Sequence, residues 1–129
     1  MIYGIGVDVA QIDRFAEKTL DGSFAQRIYS PVERQALSAH KSHRVTEGLA
    51  GAWAAKEAFL KAAGTGIGGF AMADIQLLHE ESGRPVLALS GDAAQWMQQK
   101  HLRAHVSISH DGGMATAFVI LEENGEDKA

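Results

Sequence analysis

Hydrophobic and polar positions alternate along the first residues of the chain and predict a strand over residues 2–9. The period of two gives an apolar face and a nearly bare face. The apolar face holds Tyr3, Ile5, Val7 and Val9, and the other face holds Ile2, Gly4, Gly6 and Asp8. Because glycines weaken a strand, they usually mark the close approach of another backbone or a ligand. We therefore expect Asp8 to lie at the end of a trough that admits another element.

Helical spacing of apolar residues follows in three segments. It predicts a helix over residues 11–20, which Asp21-Gly22 ends. Ser30-Pro31-Val32-Glu33 is a capping box with proline at the first helical position, so a second helix should run to about Ser38. A long helix is predicted over residues 43–63, and it is apolar nearly all round, as in a helix buried by its neighbours.

The second half of the chain predicts strands joined by tight turns. Strands are expected over residues 74–79 and 86–89 around a turn at 81–85, and over 105–109 and 114–121 around Asp111-Gly112-Gly113. Ser90 can cap a helix that runs to about His101. This order predicts an α+β fold, an antiparallel sheet packed on a long central helix. Residues 1–121 should form a single domain, and the polar residues 122–129 should form a frayed tail.

Two carboxylates in these elements are candidates for chemistry. Helical geometry places Trp53, Glu57 and Lys61 on one stripe, with Lys61 one turn after Glu57. Taken alone, Glu57 and Lys61 are also typical of a surface ion pair, and Asp8 is also typical of a helix cap. Together, two carboxylates and a lysine favour phosphoryl transfer on a magnesium-bound phosphate.

The glycine-rich segment after the long helix, residues 64–69, is not a dinucleotide or Walker motif, because those motifs precede a helix. The negative end of the helix dipole would oppose an anion there. A phosphate at this loop would therefore need Lys61 and backbone N–H groups of the loop to offset it.

Composition excludes several classes of protein. The chain has 129 residues, 46% of them hydrophobic, which fits one globular domain. It has no cysteine, so disulfides, thiolate nucleophiles and cysteine-bound metals are excluded. The net charge of −4 argues against a dedicated nucleic-acid binder. No signal peptide or membrane span is indicated, so a cytoplasmic location is expected.

Several short motifs of the chain, taken together, resemble those of a known protein family. The chain combines Gly6-Val7-Asp8, the run Trp-Ala-Ala-Lys-Glu-Ala-Phe-Leu-Lys from Trp53 to Lys61 followed by Gly-Thr-Gly-Ile-Gly, the turn Gly83-Arg84-Pro85, and Val106-Ser107-Ile108-Ser109-His110. In this order it resembles the holo-acyl-carrier-protein synthases, the small type of 4′-phosphopantetheinyl transferase. The resemblance runs from the first residue to about Leu121.

The resemblance implies transfer of phosphopantetheine from coenzyme A to a serine of acyl carrier protein, with release of adenosine 3′,5′-bisphosphate, in support of fatty acid biosynthesis. Asp8 and Glu57 would be magnesium ligands, and Glu57 and Lys61 would act in catalysis, with the general base unassigned. Coenzyme A would be contacted by Lys61, Gly64, Thr65, Gly66, Ile67, Pro85 and His110. For His110 and Pro85, a role as ordinary turn residues stays open.

The resemblance also implies partners. Since the carrier is acidic and this chain has a net negative charge, docking needs a local basic patch. Arg14, Arg27 and Arg44 are the candidates, with Lys41 as a weaker addition. A homotrimer with sites between protomers is implied. One departure is Ala52, which stands where similar proteins often have a basic residue, and Arg44 is a possible substitute.

Two other interpretations stay open. The chain could be a catalytically silent nucleotide- or coenzyme-binding module, in which Glu57 pairs with Lys61 and Asp8 caps a helix. The spacings His40/His43 and His101/His105 also allow a histidine metal site, although exposed histidines explain them as well.

Overall fold

The computed structural model of the chain describes residues 1–66 and 68–125. The strands are β1 (Ile2–Gln11), β2 (Ile75–His79), β3 (Pro85–Leu89), β4 (Leu102–Asp111) and β5 (Met114–Glu123). The helices are α1 (Ser23–Ile28), α2 (Pro31–Ser38), α3 (Ser42–Ala63) and α4 (Gly91–Gln99), with short 3₁₀ turns at Ile12–Phe15 and Met72–Asp74.

The strands form two antiparallel sheets, one of three strands in the order β1-β5-β4 and one made of the β2-β3 hairpin. The long helix α3 packs across β1 and β5. Gly112 and Gly113, with φ of 58° and 78°, make the tight turn between β4 and β5. The predicted α+β class, with an antiparallel sheet on a long central helix, is confirmed.

The glycine face of β1 is the contact surface for α3. A Cβ atom at Gly6 would collide with the carbonyl oxygen of Ala58, and one at Gly4 would collide with that of Ala62. Strand and helix therefore meet backbone to backbone, as the predicted trough required. The opposite, apolar face is left exposed, with Val7 at 50% exposure.

A buried ion pair joins α2, α3 and β2. Lys56 Nζ lies 2.7 Å from Glu33 Oε1, and neither side chain is more than 1% exposed. Lys56 also donates to the carbonyl oxygens of Met72 (2.9 Å) and Ile75 (2.6 Å). Glu33 accepts from the backbone N–H groups of Ser30 and Leu77. Burial lowers the pKa of Lys56, and the nearby Glu33 carboxylate opposes that effect.

The structure corrects the first part of the sequence prediction. The helix expected over residues 11–20 is only the 3₁₀ turn Ile12–Phe15. The N–H of Ile12 bonds the Gly113 carbonyl of the hairpin, and the Phe15 ring packs on Trp53, so tertiary contacts replace the helical pattern. Helix α1 was missed, and Gly22, expected to end a helix, is instead its N-cap.

Several boundaries also differ from the prediction. Strand β4 begins at Leu102 and ends at Asp111, so it is longer than predicted at both ends, and α4 ends at Gln99. Strand β5 continues to Glu123, because Glu122 pairs with Arg103. The first two residues of the predicted tail are thus part of the sheet, and residues 126–129 lie outside the described residues.

Tyr3 also departs from the predicted alternation. The register of β1 shifts between Ile2 and Gly4, and the Tyr3 ring packs edge-on against Trp96 with centroids 5.7 Å apart. Tyr3 is still 39% exposed, so only part of its ring is covered by this contact.

Candidate active site

The structure brings Asp8 and Lys61 into direct contact. Lys61 Nζ donates to Asp8 Oδ1 at 3.2 Å and to the carbonyl oxygen of Val7 at 2.9 Å. The Asp8 side chain is 17% exposed and that of Lys61 52% exposed. Asp8 therefore does not cap a helix here; it lies within the edge strand β1 and its carboxylate meets Lys61 of the long helix α3.

Glu57 completes this group from the same helix. It is partly buried, and its pKa is raised chiefly by burial and then by the nearby charge of Asp8, while Lys61 acts to lower it. The electrostatic influence of Asp8 and Lys61 places all three groups in one neighbourhood. Two carboxylates beside one ammonium group form a site suited to a cation.

The local sequence explains why these side chains meet. Gly6 allows the backbone of α3 to lie directly on β1, so Asp8 and Glu57 approach across that contact. Lys56, the neighbour of Glu57, points into the core and is fixed there by Glu33. The rotation of α3 about its axis is thereby set, and Glu57 is directed toward the strand.

The loop after α3 is only partly suited to an anion. Gly64 is the left-handed C-cap of α3 (φ 80°), and its N–H bonds the carbonyls of Leu60 and Lys61. The N–H of Thr65 bonds Leu60 as well. The sequence predicted that backbone N–H groups of this loop would be available to a phosphate, but these two already bond carbonyl groups at the end of α3. The predicted contact Ile67 lies outside the described residues.

A second cleft, with a volume of about 480 Å³, lies beside the N-terminal half of α3. Its lining includes Arg44, His110, His79 and Glu33, with Gly51 and Ala52 on the helix wall. His110 Nε2 donates to the Glu47 carbonyl oxygen at 3.3 Å, so its ring is held in place. Burial and the nearby His40 lower the pKa of His79. Pro85 is close to this cleft, since it is the strand partner of His79.

The proposed docking arginines are not on one surface. Arg14 lines a pocket of about 330 Å³ together with Lys18, Phe24 and Trp53. Lys18 Nζ lies 4.7 Å from the centre of the Phe24 ring. Arg27 is in the last turn of α1, the helix that carries Phe24. Arg44 lines the other cleft, so it is near the predicted substitute position at Ala52 and separate from Arg14.

The histidine spacings do not build a metal cluster within the described residues. No group of three or more histidine, cysteine, aspartate or glutamate side chains there can hold an ion. His105 instead donates to Glu122 Oε1 at 2.9 Å on the sheet. Hydrogen bonds from His105 and then Arg103 lower the pKa of Glu122.

Sequence reasoning missed two features of the site. One is the Glu33–Lys56 pair, for which the signal was a lysine inside an otherwise apolar helix. The other is the aromatic and basic pocket around Lys18 and Phe24, which depends on the missed helix α1. Neither pairing is visible from helical or strand periodicity, because the partners lie on different elements of the fold.

Comparisons with known proteins identify the family of the chain. The family model of the 4′-phosphopantetheinyl transferase superfamily matches residues 4–119. A holo-[acyl-carrier-protein] synthase of Bacillus cereus strain B4264 is 42% identical over 96% of this chain and 98% of its own length. Among solved structures, a holo-(acyl-carrier-protein) synthase from Bacillus anthracis in complex with CoA (3′,5′-ADP) is 40% identical, with a TM-score of 0.80 over 96% of this chain and 99% of that one. An ACPS–CoA complex from Chronobacterium ammoniagenes is 37% identical, with a TM-score of 0.77 over 94% and 97%.

The fold and the matched length define a transferase of phosphopantetheine groups. The chain belongs to the 4′-phosphopantetheinyl transferase superfamily and, within it, to the holo-[acyl-carrier-protein] synthases. In the part of the chain that the structure describes, none of the helices is both long and apolar enough to cross a bilayer.

Proposed function

We propose that this protein transfers the 4′-phosphopantetheine group of coenzyme A to a serine of acyl carrier protein, with release of adenosine 3′,5′-bisphosphate. The observation that carries the proposal is the group formed by Asp8, Glu57 and Lys61. It is supported by relatives named holo-[acyl-carrier-protein] synthase and by related structures described as complexes with CoA. A cytoplasmic location and a role in fatty acid biosynthesis belong to the same proposal.

The donor atoms at this group fit magnesium. Magnesium prefers a few carboxylate oxygens, completed by water and by substrate phosphate oxygens. Asp8 and Glu57 supply two carboxylates that are partly open to solvent, which leaves room for those other ligands. When bound there, magnesium would polarise the diphosphate and reduce the charge on the leaving phosphate.

The side chains of this chain would then perform two tasks. Asp8 and Glu57 hold the cation near the diphosphate of coenzyme A. Lys61 adds a flexible positive charge to that diphosphate, which offsets the negative end of the α3 dipole. The general base stays unassigned: a free oxygen of Glu57 or a metal-bound hydroxide would take the proton of the attacking serine, and a loose phosphoryl-transfer transition state demands little base catalysis.

The nucleotide of coenzyme A is assigned to the second cleft. Arg44 and His110 line it, and the guanidinium group of Arg44 is suited to a phosphate. The apolar wall at Leu77 and Ile108 is suited to a base. Arg44 would supply the charge that Ala52 lacks. Gly64, Thr65, Gly66, Ile67 and Pro85 complete the proposed coenzyme A contacts.

Carrier docking is assigned to the pocket at Arg14. Basic side chains at Arg14 and Lys18 surround aromatic rings, so the pocket is suited to an apolar side chain flanked by carboxylates. Arg27 on α1 would extend the basic area. Arg44 is less suited to this role because it lines the other cleft.

A homotrimer is also proposed, with sites between protomers. Support comes from the apolar face of the large sheet, where Ile5, Val7, Val9 and Phe118 are between 39% and 59% exposed. Val7 and Phe118 are strand partners, so the patch is continuous across β1 and β5. Such a patch is typical of a protein interface. Sedimentation equilibrium tests this assembly, since a monomeric wild type would refute it and Val7→Lys should dissociate a trimer.

The decisive experiment is a transfer assay. The protein is incubated with apo acyl carrier protein, coenzyme A and magnesium, and the carrier is analysed by mass spectrometry. We expect the carrier to gain the phosphopantetheinyl mass, and to gain none in EDTA or when its acceptor serine is replaced by alanine. If the mass appears on none of several apo carriers, the enzymatic proposal is refuted and a silent coenzyme-binding module is the better interpretation.

A further inference from the structure

The ammonium group of Lys61 lies among oxygen atoms that a divalent cation would use. Its Nζ is 2.9 Å from the Val7 carbonyl oxygen and 3.2 Å from Asp8 Oδ1. Carboxylate and carbonyl oxygens are the ligands that magnesium prefers in proteins. The ammonium group of Lys61 thus occupies part of the position in which Asp8 would coordinate a metal ion.

We propose that Lys61 is a placeholder cation, whose ammonium group holds Asp8 in the metal-free protein and must leave Asp8 before a divalent ion can bind. The inference rests on the proposed function, because it takes Asp8 and Glu57 as the metal pair. It adds a second role for Lys61, which comes before its contact with the diphosphate.

The electrostatics of the group explain why a placeholder is useful. Asp8 raises the pKa of the partly buried Glu57, so the two carboxylates repel one another. Lys61 acts in the opposite direction on Glu57. The ammonium group of Lys61, in contact with Asp8, therefore offsets part of this repulsion when no metal is present.

The contact is also easy to release. The Lys61 side chain is 52% exposed, and a partly exposed ion pair of this kind is weak. Its four-carbon stem can swing while the helix stays in place. A diphosphate that arrives with its own negative charge offers Lys61 a stronger partner than Asp8.

Metal and coenzyme A should consequently bind in a coupled way. A metal ion alone must displace Lys61 and leave the ammonium without a partner, whereas a metal that arrives with a diphosphate gives Lys61 a new one. Because coupling between two ligands is reciprocal, each should raise the affinity of the protein for the other.

The test measures Mn²⁺ binding to the coenzyme-free protein by electron paramagnetic resonance, with no turnover involved. Lys61→Met removes the charge and keeps the unbranched stem, and Lys100→Met removes one positive charge from the C-cap of α4 as the matched control. Asp8→Asn locates the ion. We expect Lys61→Met to bind Mn²⁺ about three- to ten-fold more tightly than the wild type. Lys100→Met should match the wild type.

The outcomes separate the inference from the proposed function. If Asp8→Asn abolishes binding while Lys61→Met binds Mn²⁺ no more tightly than the wild type, the placeholder role is overturned and the metal pair stands. An equal gain in Lys100→Met would also overturn it, because net charge would then explain the effect. If Asp8→Asn binds Mn²⁺ like the wild type, the ion is elsewhere and the metal assignment fails together with the inference. Transfer activity of the wild type is measured separately and decides the proposed function.

Discussion

The replacement of Lys56 by methionine should be strongly destabilising, although the side chains are similar in size and shape. Lys56 makes three hydrogen bonds of 2.6–2.9 Å, to Glu33, Met72 and Ile75. The variant would leave the Glu33 carboxylate buried with only backbone N–H partners. Breaking a buried pair in this way costs about 3–5 kcal/mol. Against a total stability of roughly 6–19 kcal/mol for a chain of this length, that is a large fraction.

Helix α3 provides its own control. Lys61→Met makes the same substitution five residues later, where the ion pair is partly exposed and worth about 0.2–1 kcal/mol. Urea unfolding followed by circular dichroism, at one fixed protein concentration and in EDTA, compares the two variants with the wild type. At roughly 2.1 cal/mol/K of unfolding entropy per residue, the Lys56 variant should also melt about 11–18 °C lower.

A third variant tests the cause of the loss. Glu33→Gln combined with Lys56→Met removes both charges and keeps one acceptor oxygen, which can serve the N–H of either Ser30 or Leu77. It should recover part of the stability, so the double-mutant cycle should show coupling. If Lys56→Met differs from Lys61→Met by less than about 1 kcal/mol, an uncompensated buried charge is not formed and the reasoning is refuted.

Four further predictions concern the site. Gly6→Ala should lower the free energy of unfolding by about 1–3 kcal/mol or more and weaken Mn²⁺ binding, because the new Cβ atom meets the Ala58 carbonyl oxygen. In the control variant Gly48→Ala the new Cβ atom meets only the flexible end of Leu37, so urea unfolding should show little change. Glu57→Gln should abolish magnesium-dependent transfer without lowering the melting temperature in EDTA. Because the pKa of Glu57 is raised in the folded protein, its charge lowers the free energy of unfolding as pH rises through that pKa. A lower melting temperature of the variant at neutral pH would contradict this prediction. For the same reason, magnesium-dependent activity of the wild type should fall with acid at a higher pH than an ordinary carboxyl group would give. Arg14→Ala should raise the KM for the carrier with little change in that for coenzyme A, and an unchanged carrier KM would move docking to another face.

Sequence patterns correctly predicted the elements that are determined by residues close together in the chain. The capping box at Ser30 and Glu33 is present, with the two reciprocal hydrogen bonds that the sequence required. Helix α3 begins within one residue of its predicted start and ends at Ala63, because Gly64 adopts the left-handed conformation. The two glycines of β1 predicted a close approach, and the approaching element is α3.

Elements that depend on distant contacts were not predictable in this way. Residues 11–20 have helical spacing, yet Ile12 bonds the hairpin at Gly113 and the chain turns away after Phe15. The ion pair of Lys61 goes to Asp8, 53 residues earlier, rather than to the neighbour one turn back that the sequence suggested. Periodicity describes the faces of an element and does not describe which other element covers them.

The backbone contact between β1 and α3 has a consequence for how this site can change. Gly6 lies directly on the carbonyl oxygen of Ala58, so main-chain atoms set how closely the strand of Asp8 approaches the helix of Glu57. Substitutions of α3 side chains away from this contact and from the buried Lys56 should therefore leave the spacing of strand and helix unchanged. Substitutions in the clefts on either side can therefore change the substrate preference, while the reaction centre keeps its dimensions as long as Gly4 and Gly6 are retained.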